Sequence, residues 1–92
     1  MTLQERIEKI EAMPDTQMFY WASYGYVGNC PNFWAKGSAG YTTYVDKAEV
    51  YTKEQTLAQL KCDRAQDKFY PVEAIQDAIY RTVDAQKIKT WI

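Results

Sequence analysis

Covalent chemistry in this 92-residue chain would have to come from its two cysteines, because the sequence contains no histidine. Without histidine, neither a Ser-His-Asp triad nor a Cys-His pair can form within the chain. Cys30 stands between Asn29 and Pro31, and Lys36 is the nearest cation in the sequence, so nothing adjacent would activate its thiol. We therefore predict that Cys30 packs in a loop and that Cys62 is a small core or boundary residue of the second helix.

Metal-binding and acid–base patterns are missing as well. No Cys-x-x-Cys spacing occurs, so we expect no structural zinc site and no other bound metal. Asp46, Glu49 and Asp84 are the carboxylates that could converge, but ordinary surface positions are the simpler interpretation. Residues 37–40, Gly-Ser-Ala-Gly, lack the lysine and the strand–loop–helix setting of a phosphate loop. The sequence thus predicts a protein that is not an enzyme and binds no cofactor.

Length and charge restrict the class of protein further. We expect residues 1–92 to form a single domain. A net charge of −1 and a pI of about 5.3 lack the excess of Lys and Arg with which dedicated nucleic-acid binders hold phosphates. Glu5, Glu8 and Glu11 recur every three residues, as on a solvated helix face or on a docking strip for a basic partner. With no membrane span and no signal sequence in view, we expect a cytoplasmic protein without membrane contact.

Capping residues mark where helices begin. The two capping boxes are Thr2 with Glu5, and Thr52 with Gln55. They open a first helix over about 3–12 and a second that runs to about residue 66. Pro71 is a good first residue for a third, short helix. Residues 80–84 fit either a continuation of that helix or a last short strand, and we favour the strand.

Aromatic residues and glycines predict the sheet. Ten of the fourteen aromatic residues, and all four glycines, lie in the stretch 19–51. Aromatic and β-branched residues between glycine-rich turns predict strands over 17–27 and 40–45, with a return strand that begins near 34–36 after a turn or bulge at 28–33. The expected fold is therefore a small α+β domain, with an antiparallel sheet of about three strands packed by two or three helices.

The aromatic block is too large for one small core, so we divide it between core and surface. The predicted core residues are Phe19, Trp21, Trp34 and Tyr41. The tyrosines expected at the surface are Tyr20, Tyr24, Tyr26, Tyr44 and Tyr51. Exposed tyrosine gives contact area at a low entropy cost. Lys36 is the only cation within 16–45, which favours a protein partner over stacked bases. The predicted contact residues are Tyr24, Tyr26, Asn29, Asn32, Lys36 and Tyr44, with the two asparagines and the lysine at the tip of the hairpin.

One motif resembles a recurring group of small phage proteins. Residues 33–42, Phe-Trp-Ala-Lys-Gly-Ser-Ala-Gly-Tyr-Thr, are followed by Asp-Lys-Ala at 46–48 and by Tyr-Thr-Lys-Glu at 51–54. Those phage proteins carry a Gly-Tyr-Thr strand and then an Ala-x-x-Tyr-Thr-x-Glu helix start.

In length and composition the chain also resembles the small anti-CRISPR proteins of phages, particularly inhibitors of the type I-F surveillance complex. This resemblance implies a non-enzymatic, stoichiometric inhibitor in the cytoplasm of the infected bacterium. Such an inhibitor occupies a basic groove on the Cas surveillance ribonucleoprotein, contacts its guide RNA and blocks target DNA binding. Two alternatives stay open: a small nucleic-acid-binding accessory protein of a phage, and a structural module that forms homodimers through its tyrosines.

Overall fold

The computed structural model describes residues 1–62, 67–76, 79–80, 82–83, 85–88 and 90–92. Its helices and strands follow in the order α1 Leu3–Glu11, β1 Met18–Val27, β2 Cys30–Trp34, β3 Tyr41–Thr42, β4 Val50–Thr52, α2 Lys53–Lys61, β5 Lys68–Pro71, α3 Val72–Gln76, β6 Ile79–Tyr80 and β7 Thr82–Val83. Short 3₁₀ turns lie at Lys36–Ser38, Val45–Lys47 and Ala85–Lys87. The predicted α+β class is confirmed.

Strand β1 is the centre of the antiparallel sheet, which within the described residues has five strands and not about three. Phe19 pairs with both β4 and β5, so these strands flank β1 on opposite edges. Ala22 pairs with both β2 and β5, which places β2 on the same edge as β4. Strand β3 pairs with the outer side of β2. The last two strands, β6 and β7, form a separate pair in the segment where we favoured a strand, and residues 81 and 84 lie outside the described part.

Both capping boxes are present and set the helix starts. In α1 the Thr2 hydroxyl accepts from the Glu5 N–H at 3.1 Å, while the Glu5 carboxylate accepts from the Thr2 N–H at 3.3 Å. Helix α2 begins with the same arrangement but ends at Lys61, before the predicted residue 66. The reason is local, because Cys62 has left the helical region at φ −97° and ψ 39°. Cys62 is exposed at this helix end, so its prediction as a core or boundary residue is wrong. Residues 63–66 lie outside the described part of the chain.

The hairpin between β1 and β2 turns at residues 28 and 29, so the turn or bulge predicted over 28–33 is too long, and residues 30–34 form β2 instead. Val27 pairs directly with Cys30, and Gly28 adopts φ +61°, as two-residue hairpin turns require at their first position. Cys30 therefore begins a strand and is not a loop residue. The predicted strand over 40–45 is also shorter, because the chain leaves it after Thr42 and enters a 3₁₀ turn.

Two half-cores, one on each face of the sheet, share the aromatic residues. The half-core beneath α1 and α2 contains Ile10, Phe19, Trp21, Leu60, Phe69 and Ile92. The half-core beneath α3 contains Ala22, Phe33, Ala48, Tyr70 and Ile75. Because β1 alternates sides, it supplies residues to both. Among the helices of the described residues, none has the length and apolar run that crossing a bilayer requires.

Helices cover both faces of the sheet, and this changes which aromatic residues are exposed. Phe19 and Trp21 are buried, as predicted, but Trp34 is only half-buried. Tyr51 and Tyr20 were expected at the surface and are half-buried instead. Tyr51 stacks on Trp21, with 3.6 Å between ring centroids, and Tyr20 packs on Phe33 at 5.6 Å.

Tyr41 was predicted in the core, yet it is 52% exposed. It stands on β3 at the edge of the sheet, away from the elements that cover the centre.

Candidate functional site

The six predicted contact residues do not form one patch. Tyr26 and Asn29 lie at the turn of the β1–β2 hairpin, and Asn32 is half-buried within β2. Lys36 and Tyr44 lie beyond the other end of β2, a strand about 17 Å long at 3.3–3.4 Å per residue. The prediction that Lys36 belongs to the hairpin tip is therefore wrong. The side chain of Tyr24 is outside the described part.

The turn end of the hairpin is fastened to other elements. The backbone oxygen of Asn29 accepts from the Ala85 N–H at 2.6 Å. The Tyr26 hydroxyl, at the surface as predicted, accepts from the Lys68 ammonium at 2.6 Å. These contacts hold the tip against the C-terminal segment and β5.

At the other end, Lys36 and Tyr44 line a shallow groove of about 550 Å³. We call it the tyrosine–lysine groove. Its lining residues are Ala35, Lys36, Ala39, Tyr41, Thr42, Tyr44, Asp46 and Lys47. Tyr41 and Tyr44 are about half exposed, at 52% and 47%, so both rings are available to a partner.

Backbone contacts hold the groove in shape. The Ala35 N–H donates to the Gly40 oxygen at 2.8 Å and closes the loop that carries Lys36. Gly37 and Gly40 have φ of +65° and +85° within this loop, a region that side-chain-bearing residues seldom adopt. Ala35 also bridges to the buried Ala48. The loop is thus tied to the sheet on two sides.

Ring contacts orient the two tyrosines. Tyr41 packs edge-on against Trp34, with 5.7 Å between ring centroids. The Lys47 ammonium lies 5.3 Å from the centroid of the Tyr44 ring, in reach of a cation–π interaction. The groove is lined by two lysines, Lys36 and Lys47, and by one carboxylate, Asp46. Its lining is therefore slightly positive, although the chain has a net charge of −1.

The groove presents aromatic faces, hydroxyl groups and two amines at the surface. Sequence reasoning did not assign Tyr41 or Lys47 to a site. The signal for Lys47 was its spacing three residues after Tyr44, which places both side chains on one side of a helical turn.

A second groove, of about 760 Å³, runs between α1 and α2. Glu11, Asp15 and Glu54 line it together with Lys53 and Lys61. On α1 the predicted acidic strip of Glu5, Glu8 and Glu11 is exposed throughout. The molecule therefore has an acidic helix face in addition to the slightly positive groove.

No protein-family model, curated protein or solved structure matches this chain. Its activity has to be inferred from the geometry of these surfaces.

Proposed function

We propose that this protein is a non-enzymatic inhibitor that binds a host protein complex through the tyrosine–lysine groove and blocks it sterically. The observation that carries the proposal is the grouping of Tyr41 and Tyr44 with Lys36 and Lys47 around one rigid groove. Tyrosine is enriched where protein interfaces concentrate their binding energy. Backbone contacts already order the loop, which lowers the entropy cost of binding.

The resemblance to phage anti-CRISPR proteins supplies the specific partner, a type I-F Cas surveillance ribonucleoprotein in the cytoplasm of the infected bacterium. Two features support this choice. The exposed Glu5, Glu8 and Glu11 suit a basic channel that normally holds nucleic acid. Lys36 and Lys47 suit contact with the guide RNA held within the complex.

An interface of standard size fits the molecule. Such an interface buries about 800 Å² on each partner. The chain exposes 5751 Å² over a body of 31 × 26 × 24 Å, so the groove and one neighbouring face supply the area needed. The rest of the body then obstructs the channel.

Co-elution with the purified surveillance complex, followed by fluorescence polarisation of a labelled target duplex, tests the proposal. We expect stoichiometric co-elution and loss of DNA binding. Replacing Tyr41 and Tyr44 together by Ala should weaken inhibition by about 30-fold, since loss of interface hot spots costs about 2 kcal/mol or more. Val27→Ala is the matched control, because Val27 is exposed at the opposite end of the hairpin.

Two results would contradict the proposal in different ways. If the wild-type protein neither co-elutes with the complex nor prevents DNA binding, the anti-CRISPR assignment is wrong. If the double Tyr variant inhibits as well as Val27→Ala does, the contact surface lies elsewhere. The contribution of Lys36 is measured in the same inhibition assay with Lys36→Ala. Lys87→Ala is its control, because it removes the same charge from another exposed position.

A nucleic-acid-binding accessory role is the second candidate, favoured by the presence of Lys47 beside Lys36 in the groove. Exposed tyrosines with nearby cations can stack single-stranded bases. Two phosphate contacts would give a salt slope of about −1.4 for free single strands. Polarisation of a labelled oligonucleotide across salt concentrations measures it, and sizing chromatography at several protein concentrations checks for a homodimer.

A further inference from the structure

Tyr26 lies within a polar cluster that the tyrosine–lysine groove does not use. Its hydroxyl accepts from the Lys68 ammonium, with 2.6 Å between Nζ and Oη, and Tyr70 is close enough to shift its pKa. The pairing of β5 with β1 brings these side chains together. Lys68 and Tyr70 are alternate residues of β5 and share one face, and Lys68 pairs with Ala22 of β1.

The cation in this cluster is buried while the phenol is accessible. Lys68 is only 8% exposed. Its Nζ lies 4.1 Å from the centroid of the Tyr26 ring and 5.4 Å from that of Trp91. Tyr26, at 47% exposure, and Trp91 both reach solvent. An ammonium held among rings in this way favours negative charge on the nearest oxygen, which is the Tyr26 hydroxyl.

The two tyrosines of the cluster respond in opposite directions. The hydrogen bond from Lys68 is the main cause that lowers the pKa of Tyr26, and the hydrogen bond from Tyr70 adds to it against the effect of desolvation. Burial, followed by the proximity of Tyr26, raises the pKa of Tyr70. Tyr26 is therefore the more acidic of the two phenols.

A second cation, Arg6, reaches the Trp91 ring that also lies near Lys68. The Arg6 guanidinium lies 5.7 Å from the centroid of the Trp91 ring and donates to the backbone oxygen of Asp67 at 2.6 Å. The Asp67 carboxylate interacts electrostatically with Arg6. Within the part of the chain that the structure describes, Lys68 is the charged residue seen to contact the Tyr26 oxygen.

We propose that Tyr26 is a nucleophilic tyrosine and a covalent modification site that accepts a phosphoryl group from an activated phosphoryl donor, such as a phosphoric anhydride. In this step a lone pair of the Tyr26 oxygen forms the O–P bond and the phenolic proton passes to solvent. The bond from phosphorus to the leaving group breaks, and the leaving group departs with its electron pair.

We expect Tyr26 to attack phosphorus in preference to carbon, because the phosphorylated product is negatively charged. A phosphoryl group places negative charge beside the Lys68 ammonium, where charge-assisted hydrogen bonds hold it. An acyl group would leave a neutral ester and lose that interaction. This site is independent of the proposed inhibitory function, since the groove lies at the other end of β2.

Two reagents with the same leaving group test the site: N-acetylimidazole and its phosphorus counterpart, phosphoimidazole. The folded protein is treated with each, and modified tyrosines are mapped by mass spectrometry. Tyr44 is the internal control, because it has the same 47% exposure as Tyr26. We expect Tyr26 to react severalfold faster than Tyr44, because the Lys68 ammonium stabilises negative charge on the Tyr26 oxygen. The ratio should be larger with phosphoimidazole.

Variants and an unfolded control complete the test. Lys68→Met should bring the Tyr26:Tyr44 ratio close to one, and Tyr70→Phe should reduce it partly. In urea the two rates should be equal. Equal rates in the folded wild-type protein would overturn the proposal without recourse to any variant. The same ratio with both reagents would overturn the assignment to phosphorus.

Discussion

Lys53 closes the C-terminal end of α1, and we predict that its removal destabilises the fold. Its Nζ donates to the backbone oxygens of Glu11 at 3.0 Å and Met13 at 2.7 Å, and lies 3.3 Å from Asp15 Oδ1. The last carbonyls of a helix lack partners within the helix and carry the negative end of its dipole. A cation from the first turn of α2 therefore satisfies the end of α1 and joins the two helices.

The expected loss of stability depends on which groups lose a hydrogen-bond partner. Lys53→Met keeps the apolar stem and removes the ammonium. Hydrogen bonds from a charged donor contribute about 1.5–3 kcal/mol each, but water can replace part of this because the Lys53 side chain is 14% exposed. The ion pair adds little, since Asp15 is fully exposed and solvent screens its charge. We expect a total loss of about 2 kcal/mol, or a fall in Tm of about 8–16 °C for a domain of this size.

Urea unfolding followed by tryptophan fluorescence and far-UV circular dichroism measures this loss. Asp15→Asn is the matched control, because it removes the ion pair and leaves both carbonyl contacts in place. If Lys53→Met unfolds at the same urea concentration as Asp15→Asn, the carbonyl contacts contribute nothing and the reasoning is refuted. An equal and large loss in both variants would place the energy in the ion pair instead.

Three further predictions concern the helix caps, the core and the pH dependence. Thr52→Ala removes the acceptor for the Gln55 N–H and should cost about 1 kcal/mol in urea unfolding, whereas an unchanged midpoint would contradict a capping role. Thr56→Val leaves the Trp21 Nε1 without its 3.0 Å acceptor and should cost about 1–3 kcal/mol, with a shift in Trp emission as the second readout. Burial raises the pKa of Tyr70 above its unfolded value of about 10, so the stability it contributes is complete below that pH and is lost as the pH rises above it. Tyr70→Phe should therefore lose less stability than the wild type between about pH 10 and 11, and identical alkaline profiles would rule this linkage out.

Local signals were sufficient for the helix starts and for part of the site. Both capping boxes depend on residues three apart, so the sequence alone locates them. The exposure of Tyr26 and Tyr44 was also predictable. The distance between these two tyrosines was not predictable, because it depends on the two-residue turn at Gly28. With Pro31 close by, the sequence indicated a longer turn there.

Contacts between distant segments could not be predicted in the same way. Lys68 is buried because β5 pairs with β1, which brings it against a tyrosine 42 residues earlier in the chain. Arg6 is buried because it reaches the backbone of Asp67, 61 residues later. Tyr41 was assigned to the core because an edge strand and a central strand have similar compositions. Sheet order decides such cases, and composition does not reveal it.

The position of β1 between the two half-cores has a mechanical consequence for binding. Phe19 and Trp21 support one face, while Ala22 supports the other, so neither side can open without weakening both. The tyrosine–lysine groove is anchored to this sheet through Trp34, whose backbone oxygen accepts from the Glu49 N–H at 2.9 Å. A partner that binds Tyr41 therefore contacts a ring that packs on Trp34 and, through Trp34, on Trp21 of the central strand.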